Sequence, residues 1–304
     1  MTLGVIGRRL TEFSSSREFV SAVADAMEAH DAAFFDARIL HRDISVGNIL
    51  ITDEGKGLLV DWDLCINLNR VNERFCDRPP PRMGTWPFMS VALLKNPSAE
   101  HCIEDDRESA LYVLLWTALR HSKHSTPSGT TAPHSSSHPI SLLHLGFDEA
   151  YTTSSGEMRG GHIKACILLG NRLSNVVQFH QRPQLDALLT ALQEVFQFRY
   201  QPRPKDKDCQ LFEKLKEEGF DENFLKLTIP YMYFNGLEKL KQRGWLVNTL
   251  RDFLSNDDWP QADKAELQGI PQTTNKRQFV QDQLSLIEPD PKRRRVASAP
   301  ALGS

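Results

Sequence analysis

Asp43 stands five residues before Asn48 and eighteen before Asp61, in the stretches LHRDISVGNILIT and LLVDWDLCI. A carboxylate in reach of a hydroxyl can take its proton, so Asp43 is a candidate general base. A second carboxylate and an amide oxygen are hard donors of the kind magnesium accepts, which makes Asp61 and Asn48 candidate ligands. A base beside a metal that bridges phosphates is the equipment of phosphoryl transfer. Asparagine alone suits loops generally and is ambiguous. Turn or cap roles would account for either aspartate singly but not for their interval.

Short elements around these residues have to hold them together. Ile49-Leu50-Ile51 and Leu58-Leu59-Val60 are β-type runs separated by TDEGKG, which reads as a hairpin that returns Asp61 to the loop of Asp43. Ahead of that loop, Ser15 and Glu18 have capping-box spacing. Val20, Val23, Met27, His30 and Phe34 then recur at helical steps, and His30 reads as a packed core histidine. RPPPRMG (78–84) is a loop by composition, followed by GTWPFM (84–89). Residues 108–119, ESALYVLLWTAL, are apolar on all sides and predict a helix buried within a domain. Trp62, Trp86 and Trp116 read as core or loop anchors. Helical patterns return at 184–198, 207–218 and 232–254.

Composition narrows the function classes. The 304 residues carry a net charge of −3, which gives no electrostatic case for nucleic-acid binding. No run approaches a membrane span, and residues 1–16 lack a secretory apolar core. Five scattered cysteines without a CxxC pair read as reduced and intracellular. Residues 121–139 are rich in Ser, Thr, His and Pro, and their histidines read as a solvated loop without metal-ligand spacing.

The order of these motifs resembles the large lobe of a protein kinase, and more narrowly the fungal-type protein kinase family. The likeness rests on ILHRDISVGNIL, LLVDWDLCI, MGTWPFMSVALL, EDDRESALYVLLWTAL and FDEAYTTSSGEMRGGHIKACILLG, over roughly residues 5–256. The fold it implies is mainly α with a short β-hairpin: a remnant of an interlobe segment (1–14), a large lobe (15–256) with a low-complexity insert (121–140), and an unfolded tail (257–304). It implies a serine/threonine kinase that uses ATP and magnesium on a protein substrate. Asp43 would be the catalytic-loop base, with His41 and Arg42 structural around it. Asn48 and Asp61 would be metal ligands. Thr85 would position the acceptor near Asp43, although it reads equally as an ordinary loop residue. Asp106 would head the buried helix and hold the catalytic-loop backbone.

Three positions depart from the general kinase pattern. Ser45 stands where a lysine usually faces the transferred phosphate, Asp63 replaces the glycine of DFG, and SVALL (90–94) replaces APE with its buried glutamate–arginine pair. Only 14 residues precede the first helix, with no G-x-G-x-x-G and no lysine before Lys56, so the small lobe that grips ATP is expected to be missing. Its loss should uncover the apolar face around Ile39, Leu40 and Ile49 and lower solubility. A kinase homologue, a non-catalytic pseudokinase or truncated fragment acting as an interaction module, and a small-molecule phosphotransferase stay open, in that order.

The tail carries a separate expectation. Lys292-Arg293-Arg294-Arg295 after Pro291 is either a solvated charge run or a peptide for a nuclear-import receptor, read over 291–296. Arg293 and Arg295 precede Ser298 at the spacing basophilic kinases favour, so Ser298 is a modification candidate that would weaken such binding.

Overall fold

The computed structural model describes residues 7–70, 82–125, 146–169, 173 and 176–264. Ser298 and the basic cluster at 292–295 lie outside the described residues.

Strand β1 (Gly7–Arg9) leads into α1 (Ser16–Ala37). Ser15 caps α1, its hydroxyl accepting from the Glu18 N–H at 3.2 Å. The Glu18 carboxylate does not return to Ser15. It accepts from the Ser14 N–H at 2.7 Å and pairs with Arg8, so the expected box closes one residue early. Val20, Val23, Met27 and His30 are fully buried, whereas Phe34 is half-buried.

Strands β2 (Ile39–Leu40), β3 (Ile49–Thr52), β4 (Gly57–Leu59) and β5 (Ile66–Asn67) follow. β3 and β4 form the expected hairpin with Ile49 opposite Leu59, and β1 extends it to three strands with Gly7 opposite Thr52. β2 pairs with β5. The hairpin lies directly on α1, where a Cβ at Gly57 would stand 2.0 Å from the Ala22 carbonyl oxygen. That contact admits only glycine. Leu40 and Ile49 are 0% exposed and Ile39 is half-buried, so the uncovered face expected there is not found. The sheets and α1 cover it.

Helix α2 (Val91–Lys95) precedes α3 (Ile103–His121), which runs through the middle of the core. β6 (His124–Ser125) comes next, then the hairpin β7 (Tyr151–Thr152) and β8 (Met158–Arg159), then α4 (His162–Leu169). β9 (Gln178–Phe179) pairs with β6. His121 is buried, and His124 bonds the Leu119 carbonyl at 2.9 Å and meets Phe179 edge-on. These two histidines are therefore packed rather than solvated, because the helix and a strand pair run into the polar stretch. The remainder of the insert, 126–140, lies outside the described residues.

The last helices are α5 (Pro183–Phe196), α6 (Asp206–Glu217), α7 (Glu222–Lys226), α8 (Ile229–Lys241) and α9 (Trp245–Leu254). The single pattern expected over 232–254 is two helices, since Gly244 at φ 76° turns the chain between them. Packing also continues past residue 256, the expected end of the lobe. Trp259 is 3% exposed with its indole N–H on the Phe253 carbonyl, and Asp263 accepts from the Ser16 N–H and pairs with Arg182. One tryptophan in a polar stretch anchors what composition alone reads as tail.

Arg107 of α3 closes the centre. Fully buried, it donates to both carboxylate oxygens of Asp31 at 2.8 and 2.9 Å and to the Leu240 carbonyl at 2.6 Å, tying α1, α3 and α8.

Candidate active site

Asp43 lies in the loop between β2 and β3, and its side chain is held on both oxygens. Oδ2 accepts from Asn48 Nδ2 at 2.9 Å, and the same amide group donates to the Asp43 carbonyl at 2.8 Å. Oδ1 accepts from the backbone N–H and the hydroxyl of Thr85, both at 2.7 Å. The five-residue interval thus lets one amide clamp the loop, and Asp43 and Thr85 meet from 42 residues apart.

His41 supports the loop from below. Its Nδ1 accepts from the Asp43 N–H at 3.2 Å, which leaves Nε2 to carry the proton and donate to the Val60 carbonyl at 3.1 Å. Two such partners fit the neutral ring, and burial lowers its pKa in the same sense. Trp62 packs edge-on to the His41 ring at 4.6 Å. The Val60 N–H donates to the Asn48 carbonyl at 2.9 Å. Val60 therefore touches both His41 and Asn48, and Asp61 is the residue that follows it in the chain. Asp61 takes the left-handed conformation (φ 62°), which aspartate tolerates better than bulkier residues, and its carboxylate is exposed.

The donors fit magnesium. Asn48 Nδ2 is committed to Asp43, whereas its Oδ1 accepts nothing from the described residues. Asp61 likewise has no partner among them. One carboxylate and one amide oxygen are hard ligands, and an ion that keeps waters and phosphate oxygens needs few more from protein. No group of three or more His, Cys, Asp or Glu that could hold a metal occurs among the described residues.

Asp106, in the first turn of α3, is 0% exposed and organises the loop from the core. It accepts from the Arg42 N–H at 3.0 Å, and bonds His30 at 2.9 Å and His101 at 2.8 Å. Arg42 sits at φ 75°, turned so that its N–H faces inward. Burial works to raise the Asp106 pKa, but His101 and His30 outweigh it and hold the group well below the usual carboxylate range. Burial likewise depresses His30, and its neighbours Asp106 and Asp31 lift it to a net rise. His30 is therefore more than core filling. Neither it nor His101 is marked by a local motif; only the fold brings them to Asp106.

The segment of Thr85 is fastened along its length. Gly84 has φ 119°, and a Cβ there would stand 2.8 Å from the Arg42 carbonyl oxygen. Gly84→Ala is expected to destabilise the protein by about 1–3 kcal/mol and to free the Thr85 amide, read as faster hydrogen exchange at that amide. Unchanged protection would contradict the role assigned to Gly84. Further on, Trp86 donates to the Glu149 carbonyl at 3.0 Å. Lys164 of α4, 1% exposed, donates to the carbonyls of Pro87 and Met89 at 2.7 and 2.8 Å. Its ammonium lies 4.2 Å from the Tyr112 ring centroid. Burial nonetheless lowers its pKa to about 7, against the opposing pull of Glu108, Asp148 and Glu149.

A glutamate–arginine pair was expected to be missing with APE, yet one is present. Glu108 of α3, 0% exposed, bonds Arg199 at 2.5 Å and the Val91 N–H at 2.9 Å. Arg199 also reaches Asp105 at 2.7 Å, and Asp105 accepts from the Ser90 hydroxyl at 2.6 Å. The carboxylates of this network lie on α3, and SVALL supplies a hydroxyl and an N–H to them.

Comparison with known proteins adds the family. No curated protein matches the chain. A family model described as "Fungal protein kinase" matches residues 2–118, a stretch that contains His41, Arg42, Asp43, Asn48, Asp61, Thr85 and Asp106. The mainly helical architecture with small antiparallel sheets is consistent with that match. Over residues 2–118 the chain is therefore similar to the fungal protein kinase family.

Proposed function

We propose that the chain is the catalytic lobe of a serine/threonine kinase, transferring the γ-phosphoryl group of ATP to a protein hydroxyl. The observation that carries this is the Asp43 carboxylate, oriented through one oxygen by Asn48 and through the other by Thr85. In this reading Asp43 accepts the proton of the attacking hydroxyl, and the neighbouring Thr85 hydroxyl positions the acceptor. Asn48 Oδ1 and the Asp61 carboxylate hold magnesium, which when bound would neutralise charge on the phosphates. His41, Arg42 and Asp106 keep the loop in shape.

The test joins the small lobe of a family member ahead of residue 1. Magnesium-dependent phosphorylation of a protein substrate is expected, falling by about 10²–10⁴-fold in Asp43→Ala. A folded fusion that binds ATP and transfers nothing would sink the reading.

A second reading, a non-catalytic interaction module, draws on Ser45, which is 3% exposed and puts no positive charge where a phosphate would be met. Mg-ATP binding by the chain itself, with Kd of about 1–100 μM, would count heavily against it.

A further inference from the structure

Five large apolar side chains lie on the surface between residues 220 and 232: Phe220 (46% exposed), Phe224 (49%), Leu227 (75%), Ile229 (65%) and Met232 (41%). They follow one another along a strip of chain from just ahead of α7 into α8. The rings of Phe220 and Phe224 are 5.8 Å apart, the Leu227 N–H bonds the Phe224 carbonyl, and α8 begins at Ile229. Beside them α6 has no buried residue at all, and its Leu211 is 56% exposed. Its apolar stripe is only half covered, with Phe212 and Leu215 half-buried and the Phe212 ring 6.4 Å from that of Tyr231. Nor is the strip a frayed edge of the core, because α8 is already packed inward. Pro230, Gly236 and Leu240 are buried, and a Cβ at Gly236 would meet the Phe198 ring at 2.1 Å.

We infer that this α6–α8 face binds a second copy of the same chain. Five side chains exposed by half or so present on the order of 500 Å² of apolar surface. A standard interface takes about 800 Å² from each partner, of which about 60% is apolar, so the strip supplies one side of such a contact. Charge permits a like partner. Residues 205–241 hold seven lysines and eight carboxylates in alternation, including the pairs Lys214–Glu218 and Glu222–Lys226. A mixed, nearly neutral surface neither repels its own kind nor selects a strongly charged partner. A two-fold contact would place the same strip on both sides, each copy's apolar residues covering the other's.

Sedimentation velocity of the full chain between about 1 and 100 μM is the test, with dissociation expected in the low micromolar range. Leu227→Glu combined with Ile229→Glu should weaken association at least tenfold, with an unchanged circular dichroism spectrum. If that variant fails to fold, hydrogen exchange of the wild-type amides at 220–232 decides, since their protection should rise with protein concentration. A wild-type monomer throughout the range, or a dimer that survives both substitutions, overturns the inference. So does a full chain that is monomeric while a chain ending at residue 264 dimerises, because the occupant is then the chain's own C-terminal segment.

Discussion

Asp106→Asn is expected to lower the free energy of unfolding by about 3–5 kcal/mol, measured by urea denaturation near pH 6. The carboxylate accepts three hydrogen bonds in the core, from Arg42, His30 and His101. Asparagine has one acceptor oxygen, so its amide must face at least one donor. The pH dependence separates this from simple loss of packing. Asp106 is held below its ordinary value of 3.8, so its contribution is present above that value and is lost as pH falls through the depressed one. His30 is held above its ordinary 6.5, so its contribution is present below 6.5 and disappears as pH rises through the raised value. The gap between wild type and variant should therefore be widest between about pH 4 and 6.5. A difference below about 1 kcal/mol, or one that does not change with pH, would contradict the hub assigned to Asp106.

Lys164 should produce the opposite slope. Its folded pKa of about 7 lies below the ordinary 10.5, so between those values the unfolded chain binds more protons than the folded one. Stability contributed by this residue rises with pH over that window, by up to about 1.4 kcal/mol per unit and about 5 kcal/mol in all. Urea unfolding of wild type and Lys164→Met from pH 6 to 10.5 reads this directly: the difference should be flat below 7 and climb above it. A flat difference across the whole range would show that the buried ammonium pays no desolvation penalty. Any opening that wets Lys164 takes up a proton, so lowering the pH from 10 to 7 should also loosen its hold on Pro87 and Met89.

What the sequence made legible was local. Ser15 and the stripe of α1, the β3–β4 hairpin, and the Asp43–Asn48 interval are each set by neighbours within a few residues, where periodicity and turn chemistry act. Thr85 could be placed beside Asp43 only through resemblance, and there the structure gives both contacts. Partners recruited from far along the chain were not legible. His30 reaches Asp106 across 76 residues, and Arg199 reaches Glu108 across 91. Trp259 and Gly244 are single residues that overrule the composition or periodicity around them.

The pair between Glu108 and Arg199 also has a consequence for synthesis. Glu108 accepts the Val91 N–H and so fixes the end of the Thr85 segment, but it is itself completed by a residue made 91 positions later. At about 5–20 residues per second, a ribosome needs roughly 5–20 s to supply Arg199 after Glu108. During that interval a carboxylate bound for the interior remains hydrated, and closing so long a loop carries an entropic cost that short-range contacts do not. The Asp43 loop, built mainly from residues 41–61, can form early. The Val91 end of the Thr85 segment receives its last fastening only once Arg199, just past α5, has emerged, so a nascent chain passes through a stage with the Asp43 loop formed and that segment held at fewer points.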